Sequence, residues 1–331
     1  MAETAVRPDL TYVKAAGREL LRETVWWATT RHRPGPKRNI ALFATRRGGS
    51  TWCMELIAAN RGVRPMNQPL ETLSPNLTLS QALELPRFPL GQVTSLDDRQ
   101  AAALERFVGR LLDGTLVVNA PTKFWRPEFR VTSDRVLLKI TDAKAVIGWF
   151  DDRFDLDVVY VTRHPVAQSL SCIRNGWTLT TAAYLADPVF CAANLGDATG
   201  YCHDLARSGS ELERWVLNWV VENVAPMRQL ASRPRWLHVR YEEAVAEPDL
   251  VFERLAAALQ LGDTERMRRT LRRPSGSSRL SSGGTRDAIG NGDRTAMVHG
   301  WRARVEPADL AAAAAVLERV GIDPGSVVER W

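Results

Sequence analysis

Short apolar runs recur along the chain and alternate with stretches of helical period. Ile40 to Ala44 is one such run, and Thr115 to Asn119, Arg135 to Ile140, Asp157 to Thr162 and Arg235 to Arg240 are others of strand length. Residues 49 to 60 follow with apolar positions at Trp52, Leu56 and Ala59, and residues 164–174, 210–230 and 247–260 also read as helices. Alternation of this kind predicts an α/β fold: a single domain with a central parallel sheet flanked by helices on both faces. Residues 61–113 and 174–209 lack clean periodicity and are expected to be insertions over the carboxyl ends of the strands, where open α/β sheets bind ligands. Residues 1–30 read as one amphipathic helix, with Leu10, Val13, Leu20, Leu21 and the Trp26 and Trp27 pair on its apolar stripe. RHRPGPKR at 31–38 reads as a linker, so the expected division is 1–38 for helix and linker and 39–331 for the main domain.

Composition narrows the classes without naming a chemistry. The chain has 331 residues, 45% of them hydrophobic and 25% charged, which suits a folded protein with a sizeable core. No apolar run approaches the roughly 20 residues of a transmembrane helix, and the first residues contain no apolar signal core, so a cytoplasmic protein is expected. Cys53, Cys172, Cys191 and Cys202 show no metal spacing and are expected to be reduced thiols. Of the 44 basic residues only Lys14, Lys37, Lys123, Lys139 and Lys144 are lysine, which leaves 39 arginines. Arginine is a planar bidentate donor for phosphate and sulfate, although a codon bias that replaces lysine by arginine is the more ordinary cause of such an excess, and composition alone establishes no site. RMRRTLRR at 266–273 and a net charge of +6 raise a nucleic-acid reading, but arginines on one helix face are typical of a solvated surface. No nucleic-acid partner is expected, and the oligomeric state is not readable.

Two segments carry candidate chemistry. In ALFATRRGGSTWCMEL, 41–56, a strand delivers two arginines and two glycines to a helix start, where free N–H groups and the helix dipole favour an anion. Gly48 and Gly49 allow close backbone approach, Ser50 and Thr51 add hydroxyl donors, and Arg47 reaches a bridging oxygen. The segment lacks the GxxxxGK[ST] of a nucleotide triphosphatase and the GxGxxG of a dinucleotide site. In VVYVTRHPVAQSLS, 158–171, a second strand ends in Arg163, and Ser171 lies eight residues on, about two helical turns, so both converge on a second anion.

These two segments resemble the 5'-phosphosulfate loop and the 3'-phosphate motif of the sulfotransferases that use 3'-phosphoadenosine 5'-phosphosulfate (PAPS). VRYEEAVAEPDL, from residue 239, and HGWRARVEPADL, from residue 299, are similar to further segments of that family, closest in style to its bacterial and carbohydrate-type members. The resemblance spans roughly residues 39–320 and implies a P-loop-like sulfotransferase architecture. It implies that Arg47 replaces the usual loop lysine and that Gly48, Gly49, Ser50 and Thr51 wrap the 5'-phosphosulfate. It further implies that Trp52 stacks on adenine, Arg163 and Ser171 hold the 3'-phosphate, Tyr241 borders the base, and Arg302 with Arg286 completes the phosphate site. Each aromatic among these is also an ordinary core candidate. PAPS would be the donor and PAP the product, with no metal required.

The catalytic set implied is Arg47 against leaving-group charge, Lys139 near the sulfuryl group, and a base. Thr141 stands where many members have histidine. Glu71 in PMNQPLETL, 65–73, is the leading candidate, with Asp142 next and His299 and His164 behind, while Gln68 occupies a position that is glutamate in many glycan-modifying relatives. The acceptor is expected to be a small molecule or glycan, glycolipid or glycosylated metabolite, with Trp125, Trp177 and Tyr184 available to stack on a ring. Two other functions stay open: a catalytically impaired PAP- or PAPS-binding protein, and an atypical P-loop kinase.

Overall fold

The computed structural model describes residues 17, 20–21, 24–28, 30–73, 77–119, 129–271, 276 and 283–327. Its centre is one six-stranded sheet of β1 (Arg31–His32), β2 (Asn39–Ala44), β3 (Gly62–Asn67), β4 (Thr132–Ile140), β5 (Leu156–Thr162) and β6 (Leu237–Arg240). The spatial order is β1-β4-β2-β5-β6, with β3 also paired to β4, and every pairing among these strands is parallel. Burial on both faces follows from sequence: Ile40, Leu42 and Ala44 of β2 enter one apolar layer and Ala41 and Phe43 the other.

Helices supply those layers. On one face α1 (Ser50–Ala58) sets Cys53, Leu56 and Ile57 against Ile40 and Leu42. On the other, α2 (Asp98–Leu112) contributes Leu104, Phe107, Val108 and Leu111. A third apolar cluster joins α3 (Pro165–Arg174), α4 (Glu211–Gln229) and α6 (Pro307–Arg319), whereas α5 (Pro248–Ala258) packs with α1 through Val251, Phe252 and Leu255. The four cysteines are buried and free.

Five expectations are corrected. Thr115–Asn119 is not a strand: Asn119 O accepts from Asn67 N at the end of β3 at 3.5 Å, but Leu116 and Val118 bury as a cover over the α2 layer instead of joining the ladder. Residues 61–113 hold β3 and α2 rather than irregular insertion; in β3 the sequence GVRPMN hides the strand behind Arg64, Pro65 and Asn67. Residues 174–209 form three helices, Thr181–Leu185, Pro188–Asn194 and Thr199–Ser208, too short to show a period. Arg31–His32 of the expected linker pairs with Thr132 and Ser133. Among the N-terminal residues described, Trp26 is buried with the Arg64 guanidinium 4.2 Å from its ring, while Leu20, Leu21 and Trp27 are exposed; Leu10 and Val13 lie outside the described residues. Trp125 lies outside them as well.

Candidate functional site

β2 runs straight into a tight turn. Gly48 N donates to Thr45 O at 3.0 Å, Thr45 Oγ1 donates to Asn223 Oδ1 of α4 at 3.1 Å, and Arg47 sits at φ +64. A non-glycine residue held at positive φ marks strain that its surroundings must enforce. Here Arg47 Nε donates to Ser171 Oγ at 3.1 Å and Arg47 O accepts from Arg163 Nη1 at 3.1 Å. Gly49, at φ +92, is the N-cap of α1 and provides no side-chain cap, so the first-turn N–H groups face outward. A Cβ on Gly49 would lie 2.7 Å from Tyr241 Cδ2. Gly49→Ala is therefore expected to displace Tyr241 and cost about 1–3 kcal/mol of stability from backbone strain and overlap, read as a shift in the urea midpoint. An unchanged midpoint would show that the turn tolerates a side chain.

The end of β5 meets this turn. Arg163 lies with Cζ 4.5 Å from the Tyr241 ring centre, and its carbonyl accepts from Trp219 Nε1 at 3.1 Å. Its Nε is buried without a hydrogen-bond partner, and among the described residues Arg163 forms no ion pair with a carboxylate. Positive charge accumulates here: burial, then Arg163 and Arg174, lower the Arg47 pKa, and burial, then Arg304, Arg163 and Arg286, lower that of Arg174. Such a cluster is built to receive anionic charge. The structure thus brings Arg47, Gly49, Arg163, Ser171 and Tyr241 together from three segments of the chain. Arg302 stacks 5.2 Å over Trp301 and acts electrostatically on His164. Ser50 is buried, while Thr51 and Trp52 are half-buried, with Trp52 against the α1 layer.

His164 is a structural residue. Its Nδ1 accepts from Val166 N at 3.2 Å, capping α3, and its ring lies 4.4 Å from that of Trp301. Burial, with Arg302 and Arg163 nearby, pushes its pKa down to about 3, so it stays neutral at physiological pH. His299 is exposed at the end of the helix Arg294–His299.

On the other side of the Arg46–Arg47 turn lie the ends of β3 and β4. Lys139 is buried, 6% exposed, and its Nζ donates to Asn67 Oδ1 at 2.9 Å. Burial pushes its pKa down to about 8 against the opposing pull of Asp142 and Glu55. Because this folded value lies below that of the unfolded chain, stability from this group rises as pH rises above about 8. A lysine titration near pH 8 by NMR, absent in Lys139→Met, is the expected result; a midpoint near 10.5 would contradict it. Gln68 Nε2 donates to Thr141 Oγ1 at 2.9 Å, and Thr141 Oγ1 donates to Asp142 Oδ1 at 3.0 Å. Burial and Glu71 raise the carboxyl pKa of Asp142 against Arg46 and Lys144. Glu71 Oε1 accepts from Leu73 N at 2.8 Å.

Arg46 is the residue that sequence reasoning passed over. Its guanidinium is 3.6 Å from Asp142 Oδ1 and 5.4 Å from the Trp177 ring centre, on the side of the turn away from Arg163. The arginine doublet was the available signal; only the turn shows that its two members diverge. Tyr184, expected as a stacking surface, is instead fully buried, with its hydroxyl donating to Gln92 Oε1 at 3.2 Å, because the helix Thr181–Leu185 packs it into the core.

The fold is a parallel α/β sheet with a cluster of arginines at its carboxyl edge. No family model and no curated protein matches the chain. Among solved structures it is similar to the sulfotransferase domain from the Synechococcus PCC 7002 olefin synthase, with a TM-score of 0.40 and 18% identity over 89% of this chain and 99% of that one. It is also similar to mouse sulfotransferase SULT7A1 complexed with PAP, with a TM-score of 0.43 and 12% identity over 93% of this chain and 91% of that one. Among the described residues no cluster of His, Cys, Asp and Glu is arranged to hold a metal, and no helix is long and apolar enough to cross a membrane.

Proposed function

We propose that the protein is a sulfotransferase that moves a sulfuryl group from PAPS to a hydroxyl of a glycan, glycolipid or glycosylated metabolite and releases PAP. The observation that carries this reading is the meeting of two arginine-bearing strand ends, through Arg47 Nε to Ser171 Oγ and Arg163 to Arg47 O, each at 3.1 Å. A ligand with two separated anionic groups suits such a pair. The fit rests on the glycine turn, which a Cβ would crowd, and on the buried Arg163 Nε that lacks a partner.

PAPS supplies the sulfuryl group and a phosphate as leaving group. Gly48, Gly49, Ser50 and Thr51 would hold its 5' end, Arg163, Ser171 and Arg302 its 3'-phosphate, and Tyr241 and Trp52 its base. Arg47 stabilises the charge that grows on the leaving oxygen by hydrogen bonding, since a guanidinium is a poor proton donor. Lys139 adds a donor beside the reacting group, and Glu71 takes the acceptor proton. None of these roles calls for a metal, so turnover should survive EDTA.

The test uses sulfur-labelled PAPS with a glycoside acceptor. Wild-type protein should transfer label, and Glu71→Gln should lose about a hundredfold or more in rate while PAP affinity stays within about twofold. One observation favours a second reading, a PAP-binding protein without transfer: one Glu71 oxygen is already engaged by Leu73 N. PAP binding without label transfer to any acceptor would establish that reading, and absence of PAP binding would overturn both.

A further inference from the structure

We propose that Trp219 and Asn223 of α4 are positioning residues that hold the two arginine-bearing strand ends at a fixed separation, so that the turns after β2 and β5 open and close as one unit. For nucleotide binding this rests on the sulfotransferase reading; as a coupling between the two turns it stands on its own geometry.

The sheet ladders stop short of the residues concerned. β2 and β5 last pair at Ala44 and Val161, and β5 and β6 at Thr162 and Arg240. Thr45 to Gly48 and Arg163 lie beyond these pairs, so ladder hydrogen bonds do not set how far apart the two turns stand. Helix α4 supplies that restraint. Trp219 and Asn223 are one turn apart on one face of the helix and are 1% and 0% exposed. Trp219 Nε1 donates to Arg163 O at 3.1 Å, and Asn223 presents its amide to the Thr45 hydroxyl, with Oδ1 at 3.1 Å and Nδ2 at 3.0 Å. Nδ2 also donates to Trp219 O at 2.7 Å, and the Tyr160 hydroxyl donates to Oδ1 at 2.8 Å, so the amide is held in one orientation. One turn of helix thus grips a side chain 178 positions away and a main-chain carbonyl 56 positions away. The helix is itself anchored at this point, where Glu222 Oε2 pairs with Lys144 Nζ at 3.0 Å.

The two turns also touch directly. Arg163 Nη1 donates to Arg47 O at 3.1 Å, and Gly48 N donates to Thr45 O at 3.0 Å. These contacts close a ring that runs from α4 to Arg163, on to Arg47, through the turn to Thr45 and back to α4. In a closed ring of hydrogen bonds, loosening one corner loosens the others. Arg47, at φ +64, is the strained member that the ring holds in place. Trp219 and Asn223 act on it only through Arg163 and Thr45.

The experiment is native-state hydrogen exchange by NMR on the full chain without ligand, read at the Gly48 amide, together with calorimetric titration of PAP. Trp219→Phe removes the indole donor at the β5 end and keeps a ring in its place. Exchange at Gly48, on the β2 end, should rise by about tenfold, and PAP affinity should fall by about tenfold. Thr45→Val removes the hydroxyl at the other end and should speed exchange of the Trp219 indole N–H to a similar degree, so it serves where Trp219→Phe does not fold. Tyr160→Phe takes a second hydroxyl from the same Asn223 Oδ1 without touching either turn. It should leave Gly48 exchange and PAP affinity within about twofold of wild type, although its melting temperature falls as much as that of Thr45→Val. A merely structural role would move all three variants alike. The proposal is overturned if Gly48 exchange in Trp219→Phe and indole exchange in Thr45→Val match wild type, or if Tyr160→Phe speeds Gly48 exchange as much as Trp219→Phe does. PAP affinity unchanged in both Trp219→Phe and Thr45→Val, with wild type binding PAP, overturns it as well. Wild-type protein that binds no PAP overturns the sulfotransferase reading instead, and the exchange rates then decide the coupling by themselves.

Discussion

Replacing Arg163 by alanine is expected to weaken PAP binding by about a hundredfold. Two charge-assisted hydrogen bonds to a phosphate contribute together about 3 kcal/mol, and the substitution removes the donors. The same change also frees Arg47 O, which accepts from Arg163 Nη1 at 3.1 Å, so the strained Arg47 turn loses a restraint. Arg163→Lys separates the two effects: it keeps charge near the site but loses the planar fork, and an intermediate affinity is expected. Calorimetry on wild type and both variants, with a thermal melt to verify folding, provides the measurement. Equal PAP affinity in wild type and Arg163→Ala would remove the basis of the functional reading.

The second large effect concerns the buried ion pair of Lys144 and Glu222. Lys144 is fully buried, and its Nζ donates to Thr141 O at 2.7 Å and to Glu222 Oε2 at 3.0 Å. Glu222→Leu leaves that ammonium without its counter-charge and is expected to cost about 3–5 kcal/mol of stability, measured by urea unfolding. Lys144→Met combined with Glu222→Leu removes both charges and should recover most of the loss; a double variant no better than the single one would show that the pair does not act as a unit. Burial pushes the Glu222 pKa up, but Lys144, Arg46 and the hydrogen bonds from Thr180 and Lys144 outweigh it and leave the value below the ordinary carboxylate range. A lowered folded value means that this stabilisation is complete above the unfolded pKa and is lost as pH falls through the folded one. Wild-type protein should therefore lose stability below about pH 4.5 more steeply than the double variant.

Much of the sheet was legible because parallel strands are buried on both faces and so stand out as apolar runs. β2, β4, β5 and β6 were visible in this way. β3 was not: its arginine is buried under Trp26 and its Asn67 receives Lys139 Nζ, so polar side chains that look like loop residues have partners supplied by distant parts of the chain. Thr115–Asn119 failed in the opposite direction, since apolar residues bury equally well as a cover over a helix as in a ladder. Arg47, Gly48, Gly49, Arg163 and Ser171, which the structure brings together, could be picked out because a glycine turn at a helix start and an arginine two turns before a serine are local patterns. The course of Arg46 could not be read in this way, for nothing nearby in sequence distinguishes an arginine that turns toward Asp142 from one that turns toward Ser171.

Local patterning thus determined that the chain folds as a parallel α/β protein and that two of its strand ends carry arginines into helix starts, because period and turn chemistry act over a few residues. Tertiary structure alone decided that these ends converge, that Lys139 and Asp142 are buried, and that the arginine doublet diverges, Arg46 toward Asp142 and Arg47 toward Ser171. Those outcomes depend on α3 and α4 packing over the carboxyl edge of the sheet, where contacts between residues more than a hundred positions apart set distance, burial and charge together.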